Sequence, residues 1–327
     1  MTENKIEEIK EIENVQKFTP GDFHYNKILG EGAFGIVRKC ELDFEIANGE
    51  KSTSEGSGSE VEEEPLKTKF PDKDSRNMAV KLQSKYQLIK NKQQGHLFNE
   101  INIMKTLDHP MILKMNGVSQ DKRIVFMYLE FMKGGDLMAI VNKFEKLELN
   151  HARFYIAQIV LCFEYLHGKH LIFRDLKPEN VLVNSNGYIK LADFGFIKKL
   201  IPSERTYTFC GTPEYIAPEI VQNKGYSQPV DWYALGIMIY ELLYGRPPFM
   251  ANDPYEIFQM VLKEKLKFPR DFDKNAKSLI KKLTDHDLSK RIGNLKDGSK
   301  DIKEHKFFKG LDWDALLGLR LQAAHIP

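Results

Sequence analysis

The sequence predicts an α+β protein in two parts, a small strand-rich part followed by a larger helical part. Short runs of alternating or β-branched apolar residues, around Ile36–Leu42 and Met78–Leu82, favour strands. The stretches 151–167 and 231–244 are apolar nearly all round, which is typical of helices buried inside a domain. The change from the first pattern to the second falls near residue 131, and 327 residues are enough for a core in each part.

The first 22 residues are predicted to form an amphipathic helix. Apolar residues recur at every third position from Ile6 to Phe18 among charged ones, and this spacing favours one apolar helical face. We expect that face to pack on the chain's own domain rather than on a membrane.

Residues 45–77 are predicted to be a disordered surface insertion between two strands. The segment is rich in Ser, Gly and Glu, and positions 45–64 hold seven Glu against one Lys. So few apolar residues cannot bury enough surface to offset the entropy of ordering. An acidic docking segment is the alternative interpretation of the same composition.

Composition argues for a soluble globular enzyme, with 42% hydrophobic and 29% charged residues. A net charge of +2 is too small to favour a nucleic-acid partner. No apolar run spans a membrane, the N-terminus lacks an apolar signal region, and Thr2 stands where myristoylation needs Gly, so no membrane anchor is expected. Three scattered cysteines suggest reduced thiols, so we predict a cytoplasmic protein, with the nucleus as a second compartment.

A short polar loop in the second part carries side chains suited to phosphoryl transfer. Asp175 can accept a proton from a substrate hydroxyl, and Lys177 can neutralise a γ-phosphate. Asn180 and Asp193 supply the hard oxygen ligands that Mg²⁺ prefers. A polar turn between strands would explain any one of these residues, but not four chemically matched ones at this spacing.

Leu29–Val37 is a glycine-rich loop whose backbone N–H groups can approach phosphates closely. The GxGxxG pattern also occurs in dinucleotide-binding folds, which need a helix directly after the glycines. Here the β-branched Ile36 and Val37 continue a strand instead, so a hairpin over a nucleotide is favoured. The GxxxxGK[ST] pattern of P-loop ATPases is absent from the sequence.

Three segments resemble the protein kinases. Phe173–Asn180 resembles their catalytic loop, Asp193–Gly195 their metal-binding DFG motif, and Thr206–Glu219 the activation loop of the AGC kinases. The resemblance implies the bilobal protein kinase fold, with a β-rich N-lobe over residues 23–131 and a helical C-lobe over residues 132–327. It also implies a Ser/Thr protein kinase that uses ATP and Mg²⁺.

The resemblance extends to the ATP site. Lys81 matches the lysine that grips the α- and β-phosphates, and Glu100, on a helix expected around Gln94–Leu107, matches its salt-bridge partner. The predicted ATP-binding residues are Leu29, Gly30, Glu31, Gly32, Ala33, Phe34, Gly35, Val37, Ala79, Lys81, Glu100, Leu129, Glu130, Met132, Asp136, Glu179, Asn180 and Asp193.

The same resemblance assigns catalysis to Asp175, Lys177 and Thr212, and metal binding to Asn180 and Asp193. The resemblance also implies that phosphorylation of the activation loop regulates the kinase.

Thr208 matches the family's activating phosphorylation site. A phosphate there would carry about −1.5 to −2 charges and would need cations to order the loop around it. Arg174, Lys198 and His96 occupy the family's positions for those cations.

Substrate preference can also be carried over by position. Glu179 and Glu241 match acids that hold an arginine two residues before the phosphorylated residue. Asp136 matches an acid that contacts the ATP ribose and an arginine three residues before. Carboxylates form charge-assisted, often bidentate bonds with Arg, so the expected motif is Arg-Arg-x-Ser/Thr-hydrophobic. The pocket for the residue after the phosphorylated one would be formed by Phe209, Pro213 and Ile216.

From about Phe23 to Pro327, apart from the insert, the chain resembles the catalytic subunits of the cAMP-dependent protein kinases. A cAMP-binding regulatory subunit, docking on Tyr207 and Phe258, is therefore an expected partner, besides protein substrates with basic motifs. The catalytic domain of a cGMP-dependent kinase and a non-phosphorylating pseudokinase that acts as a scaffold are the alternatives.

Two features depart from the family pattern. Phe173 stands where His or Tyr usually precedes Arg174 and Asp175. The ring can keep an apolar stacking on Phe194 but loses a hydrogen bond worth about 0.5–1.5 kcal/mol. The sequence also ends at Pro327, short of the tail with which the family continues.

Overall fold

The computed structural model describes residues 18–32, 35–43, 76–263, 265–323 and 325–326. Nearly all of the predicted N-terminal helix lies outside these ranges, as do the predicted insertion up to residue 75 and Ala33 and Phe34 of the glycine-rich loop. The chain forms two compact units. The first contains the residues up to Leu107 together with Leu113–Phe131, and the second contains Asp108–Ile112 together with the residues from Met132 onwards.

The first unit is built on a five-stranded antiparallel sheet with strand order β1-β2-β3-β5-β4. Its strands are β1 (Phe23–Gly32), β2 (Gly35–Leu42), β3 (Asn77–Ser84), β4 (Met115–Gln120) and β5 (Ile124–Glu130).

Aromatic rings fill the core of this sheet. Phe23 stacks on Tyr128 with ring centroids 4.3 Å apart, and Phe18 meets Tyr128 edge-on at 5.7 Å. The sequence pattern placed Phe18 on the apolar face of the N-terminal helix. In the structure its ring belongs to the sheet's core, and Pro20–Asp22 after it form a short 3-10 helix rather than α-helix.

The described part of the first unit also contains two α-helices, α1 (Lys85–Lys90) and α2 (Gln94–Met104). Helix α2 ends three residues before the predicted Leu107. The N–H groups of Thr106 and Leu107 bond to carbonyls three residues back, so the chain leaves the α-helix through a tightened last turn.

The second unit is mainly helical, with two small strand pairs, β6–β9 and β7–β8. Its strands are β6 (Leu171–Ile172), β7 (Val181–Val183), β8 (Ile189–Leu191) and β9 (Lys198–Lys199). Its helices are α3 (Leu137–Phe144), α4 (Leu149–Gly168), α5 (Pro218–Val221), α6 (Pro229–Tyr244), α7 (Pro254–Lys263), α8 (Lys274–Leu283), α9 (Ser299–Lys303) and α10 (Trp313–Leu317). The predicted α+β fold class is confirmed.

Helix α6 lies at the centre of this unit and is buried from Pro229 to Leu242. Proline at its first turn suits a helix start, and Gly245 ends it with a φ of 92°. A Cβ at Gly236 would lie 2.7 Å from the Thr284 side chain, so glycine there lets α6 and α8 pack closely. Among the described helices, none is both long and apolar enough to cross a membrane.

The short segment Asp108–Ile112 is hydrogen-bonded to other parts of the second unit. The carbonyl of Met111 accepts from Leu191 N–H at 2.9 Å and from Cys162 Sγ at 3.1 Å. Asp108 N–H donates to the hydroxyl of Tyr165 at 2.8 Å.

Candidate active site

The glycine-rich loop joins β1 and β2 at one end of the sheet. A Cβ at Gly30 would meet no atom within 4 Å, so the fold itself does not require glycine there. Glycine at that position suits the close approach of a ligand. At Gly35 a Cβ would lie 1.8 Å from the carbonyl oxygen of Leu82, so there glycine is needed for the pairing of β2 with β3.

The predicted lysine and glutamate meet within the first unit. Lys81 Nζ on β3 lies 2.9 Å from Glu100 Oε1 on α2. Lys81 pairs across the sheet with Val37 of β2 and Met127 of β5, so its position is set by the ladder on both sides. Glu100 is buried and its charge is matched by the ammonium group, which keeps both side chains extended toward each other.

The remaining predicted nucleotide residues divide between the two units. In the first, Leu129 is buried on β5, and Glu130 N–H donates to Lys114 O at 3.0 Å. In the second, Met132 is buried, and Asp136 caps α3 through a bond from Ala139 N–H to its Oδ1 at 2.7 Å. Asp136 therefore has a structural role in addition to the predicted one.

Four side chains form a connected network, three of them from the loop between β6 and β7 and the fourth from the activation loop. The Thr212 hydroxyl donates to Asp175 Oδ1 at 2.7 Å, and Lys177 Nζ lies 3.2 Å from Asp175 Oδ2 and 3.0 Å from Thr212 Oγ1. Asn180 Nδ2 donates to Asp175 Oδ2 at 3.0 Å and to its backbone carbonyl at 2.8 Å. The three predicted catalytic residues thus lie together, and Asp175 is held from both sides.

A buried carboxylate, Asp231, holds the backbone of this loop by hydrogen bonds. Asp231 on α6 accepts Phe173 N–H at 3.0 Å, Arg174 N–H at 2.9 Å and His167 Nε2 at 2.8 Å. Arg174 has a φ of 74°, a strained conformation for a residue with a side chain, and these bonds hold it there.

The predicted metal ligands, Asn180 and Asp193, lie near each other and both offer oxygen atoms to a divalent cation. Because both hydrogen bonds of the Asn180 amide use its nitrogen, its Oδ1 points away from Asp175. Ala192 N–H donates to Asn180 O at 2.8 Å, so the exposed Asp193 follows next to Asn180. The described residues contain no cluster of three or more His, Cys, Asp or Glu suited to a metal. An amide and one carboxylate fit Mg²⁺, which completes its shell with water and phosphate oxygens.

The activation loop leaves the predicted phosphorylation site accessible. Thr208 is exposed, whereas Thr206 is buried and accepts a hydrogen bond from Lys198 Nζ at 3.0 Å. The two threonine hydroxyl oxygens lie 3.4 Å apart. Lys198 therefore contacts the neighbouring threonine, close to Thr208 but not on it.

Arg174 reaches Thr208 through a tyrosine. Its Nε donates to Phe196 O at 2.6 Å and its Nη1 to the Tyr226 hydroxyl at 3.2 Å. The Tyr226 hydroxyl in turn donates to the Thr208 carbonyl at 2.6 Å. The third predicted cation, His96, is exposed on α2 in the first unit.

Comparison with known proteins identifies the family to which the chain belongs. Residues 55–308 match the family model described as protein kinase domain. The chain belongs to the protein kinase family.

Its relatives carry closely related names. The chain is 43% identical over 249 residues to the human cAMP-dependent protein kinase catalytic subunit PRKX, covering 76% of this chain and 69% of that protein. It is 38% identical over 310 residues to cAMP-dependent protein kinase type 3 of Saccharomyces cerevisiae, covering 92% and 77%. It is 36% identical over 319 residues to cAMP-dependent protein kinase catalytic subunit 3 of Drosophila melanogaster, covering 98% and 49%. By this membership it is a Ser/Thr protein kinase, from a family that uses ATP and Mg²⁺.

The acids proposed for substrate arginines differ in environment within this kinase. Glu179 is exposed beside the catalytic loop, whereas Glu241 is buried on α6 and accepts a hydrogen bond from the Tyr215 hydroxyl. Burial raises the pKa of Glu241 to about 7, with Glu179 and Glu214 adding to the rise and the Tyr215 bond opposing it. A cationic group placed next to Glu241 would lower this pKa and favour the ionised carboxylate.

The sequence reasoning missed Tyr215. It lies in the same Pro-Glu-Tyr string as Glu214, but no local signal connects it to Glu241, because Glu241 lies 26 residues further on.

An apolar ridge lies beside Thr208, the predicted phosphorylation site. Phe209 is 55% exposed and meets Phe258 of α7 edge-on, with centroids 5.4 Å apart. Ile216 is buried and Pro213 begins a short 3-10 helix behind it. Tyr207, at the other predicted docking position, is 63% exposed and packs over Gly225, where a Cβ would lie 2.8 Å from its ring.

Phe173 keeps the apolar contacts expected of it. It is fully buried and meets Phe194 edge-on at 5.5 Å and Phe163 at 6.2 Å.

Proposed function

We propose that this kinase transfers the γ-phosphate of ATP to Ser or Thr in the motif Arg-Arg-x-Ser/Thr-hydrophobic. The observation that carries the proposal is the network of Asp175, Lys177, Thr212 and Asn180, in which the catalytic carboxylate has a defined partner on each side.

The network defines how the chain's own residues act. Asp175 accepts the proton of the substrate hydroxyl, and the bonds from Thr212 and Asn180 hold its carboxylate in one orientation while it does so. Lys177 places a positive charge 3.2 Å from that carboxylate, where it can also meet the transferred phosphoryl group. ATP, when bound, would supply that group, and Asn180 and Asp193 would hold a Mg²⁺ ion, which would supply positive charge near the phosphate oxygens.

An intact set of catalytic groups favours activity over a pseudokinase scaffold. Pseudokinases lack one or more of the groups that bind phosphate, metal or the substrate proton. Here Lys81 is paired with Glu100, and Asp175 and Asn180 are bonded to each other. Asp193 follows in the adjacent strand connection.

The proposed substrate motif rests on three carboxylates and one apolar ridge. Glu179 and Glu241 would bind the arginine two residues before the acceptor, and Asp136 the one three residues before. Phe209, Pro213 and Ile216 would form the apolar pocket for the residue after the acceptor, and the ring of Phe209 is held edge-on against Phe258 in the ridge beside it.

Control is proposed at two levels. Phosphate on the exposed Thr208 would draw Lys198 from Thr206 and Arg174 from Tyr226, which joins the activation loop to the catalytic loop. By likeness to relatives named as cAMP-dependent kinases, a cAMP-binding regulatory subunit would dock on Tyr207 and Phe258. The scattered cysteines support a cytoplasmic location, with the nucleus as a second compartment.

The deciding experiment measures phosphate transfer from Mg-ATP to a peptide of sequence Leu-Arg-Arg-Ala-Ser-Leu-Gly. Asp175→Ala should lower kcat by about 10²–10⁴-fold, because the proton acceptor is lost. Asp193→Ala should abolish the Mg²⁺-dependent rate. Glu304→Ala, an exposed acid on the same unit, is the matched control and should retain full activity. Transfer that persists in both aspartate variants would refute the site, and equal turnover of an acidic peptide would refute the motif.

A further inference from the structure

A groove away from the catalytic loop lies between the end of α7, the middle of α6 and the end of α8. Its volume is about 560 Å³, within the range of roughly 300–1,000 Å³ typical of ligand-binding sites. Tyr233 and Phe249 are buried beneath it, and the half-buried Leu262 and Leu266 complete an apolar floor. None of the residues proposed for ATP, metal or substrate binding lines it.

The rim of this groove is positively charged. Lys263, Lys265 and Lys281 are exposed along it, and within the described part of the chain none of the three forms an ion pair. Among the described residues of the lining, Asp285 is the one carboxylate, and its Oδ1 already accepts Asp287 N–H at 2.9 Å. In the part of the groove that the structure describes, three lysines thus surround an apolar floor that has a single carboxylate beside it.

The excess charge belongs to this region and not to the whole chain. Positions 263–282 hold eight Lys or Arg against three acids, whereas the full sequence has a net charge of only +2. The remainder of the molecule is therefore slightly acidic, and an anionic partner would be drawn to this face.

We propose that this groove, which we call the α7–α8 groove, binds an acidic peptide segment of a partner protein that also carries bulky apolar side chains. The carboxylates of such a segment pair with the three lysines, while its apolar side chains cover Leu262 and Leu266. The recessed apolar floor distinguishes this ligand from a flat anionic membrane or a bare phosphate, which would use the charge alone.

The occupancy of the groove can be measured with a fluorescein-labelled peptide, Glu-Glu-Leu-Glu-Glu-Leu-Glu-Glu, by anisotropy on the full-length chain. The peptide should bind, and more weakly as salt is raised. The double variant Lys263→Glu/Lys281→Glu should weaken binding at least about tenfold, because two attractive pairs become repulsive. Leu266→Asn should weaken it as well, which a purely electrostatic surface would not show.

The matched control is Lys296→Glu/Lys309→Glu, which reverses two exposed lysines of the same unit outside the groove and should leave the affinity unchanged. All these variants should phosphorylate a short basic peptide at the wild-type rate, so failure of the groove and failure of the active site are distinguishable.

Three results would overturn the proposal. The first is no binding of the peptide, or equal loss of affinity in the control variant. The second is binding of vesicles of anionic phospholipid through the same lysines with no effect of Leu266→Asn. The third is a gain of at least about tenfold in peptide affinity when residues 45–64 are deleted, which would make the chain's own acidic segment the occupant.

Discussion

The catalytic loop and the activation loop lie in the same unit but are assembled to different degrees. Around Asp175, each polar group of the network meets another member, and the buried Asp231 holds the backbone from behind. Around Thr208, the side chain is exposed and the two nearby cations are engaged elsewhere, Lys198 on Thr206 and Arg174 on Tyr226. The catalytic side chains are therefore already in contact, whereas the proposed control would require a phosphate on Thr208 to draw the two cations to it.

The largest effect should come from removing the support of the catalytic loop. Asp231→Ala leaves the backbone N–H groups of Phe173 and Arg174 and the ring of His167 without their acceptor in a buried site. Breaking a buried charged network of this kind costs about 3–5 kcal/mol, so the free energy of unfolding in urea should fall by that amount. Asp297→Ala, an exposed acid, serves as the control. A loss below about 1 kcal/mol would mean that the loop is held by its neighbours instead.

The different assembly of the two loops can be tested by substituting Thr208. Thr208→Ala should lower kcat/KM for a basic peptide by about tenfold to a hundredfold relative to the phosphorylated enzyme, since each charge-assisted hydrogen bond contributes about 1.5–3 kcal/mol. Phosphatase treatment of the wild-type kinase should have the same effect. Ser203→Ala, in the same exposed segment, should have none. Full activity of Thr208→Ala would show that the activation loop is already assembled.

A smaller effect should appear in the pH dependence of substrate binding. Because the pKa of Glu241 is raised to about 7, this carboxyl is largely neutral at pH 6 and ionised at pH 8. The KM of a peptide with Arg two residues before the acceptor should therefore fall by about tenfold as the pH rises through this range. Glu241→Gln, or a peptide with Ala at that position, should give a flat profile. If the KM of the wild-type kinase does not change with pH, the substrate arginine does not bind at Glu241.

The smallest effect is expected at Phe173. Phe173→Leu keeps an apolar side chain but loses the edge-on contact with Phe194, which is worth about 0.5–1.5 kcal/mol. The Tm of the variant should be slightly lower than that of the wild-type kinase. Its kcat should change little, because the hydrogen bond from the backbone N–H of residue 173 to Asp231 is retained. A large loss of kcat would show that this ring, and not only the backbone, positions Asp175.

The fold class was predictable because its signals are local. The apolar runs of α4 and α6 and the β-branched runs of β2 and β3 indicate their structures without knowledge of the partners. The chemistry of Asp175, Lys177 and Asn180 was visible for the same reason, since the three residues share one short loop.

Contacts between distant segments could not be predicted from the residues alone. Thr212 reaches Asp175 across 37 residues, and Tyr215 reaches Glu241 across 26. Neither pair has a local pattern, because the path of the intervening loop decides which side chains meet. The hydrogen bond from Lys198 to Thr206 could not be predicted either, because Thr208 could equally have accepted it.

The segment Asp108–Ile112 has a consequence for dissecting the molecule. The carbonyl of Met111 receives two bonds from the helical unit, although the residues on both sides of the segment belong to the strand-rich unit. Neither unit is therefore a continuous piece of the chain. A fragment beginning at Met132 would lack the acceptor for Leu191 N–H beside the DFG motif, so expressing the lobes separately would disturb the very strand that leads to Asp193.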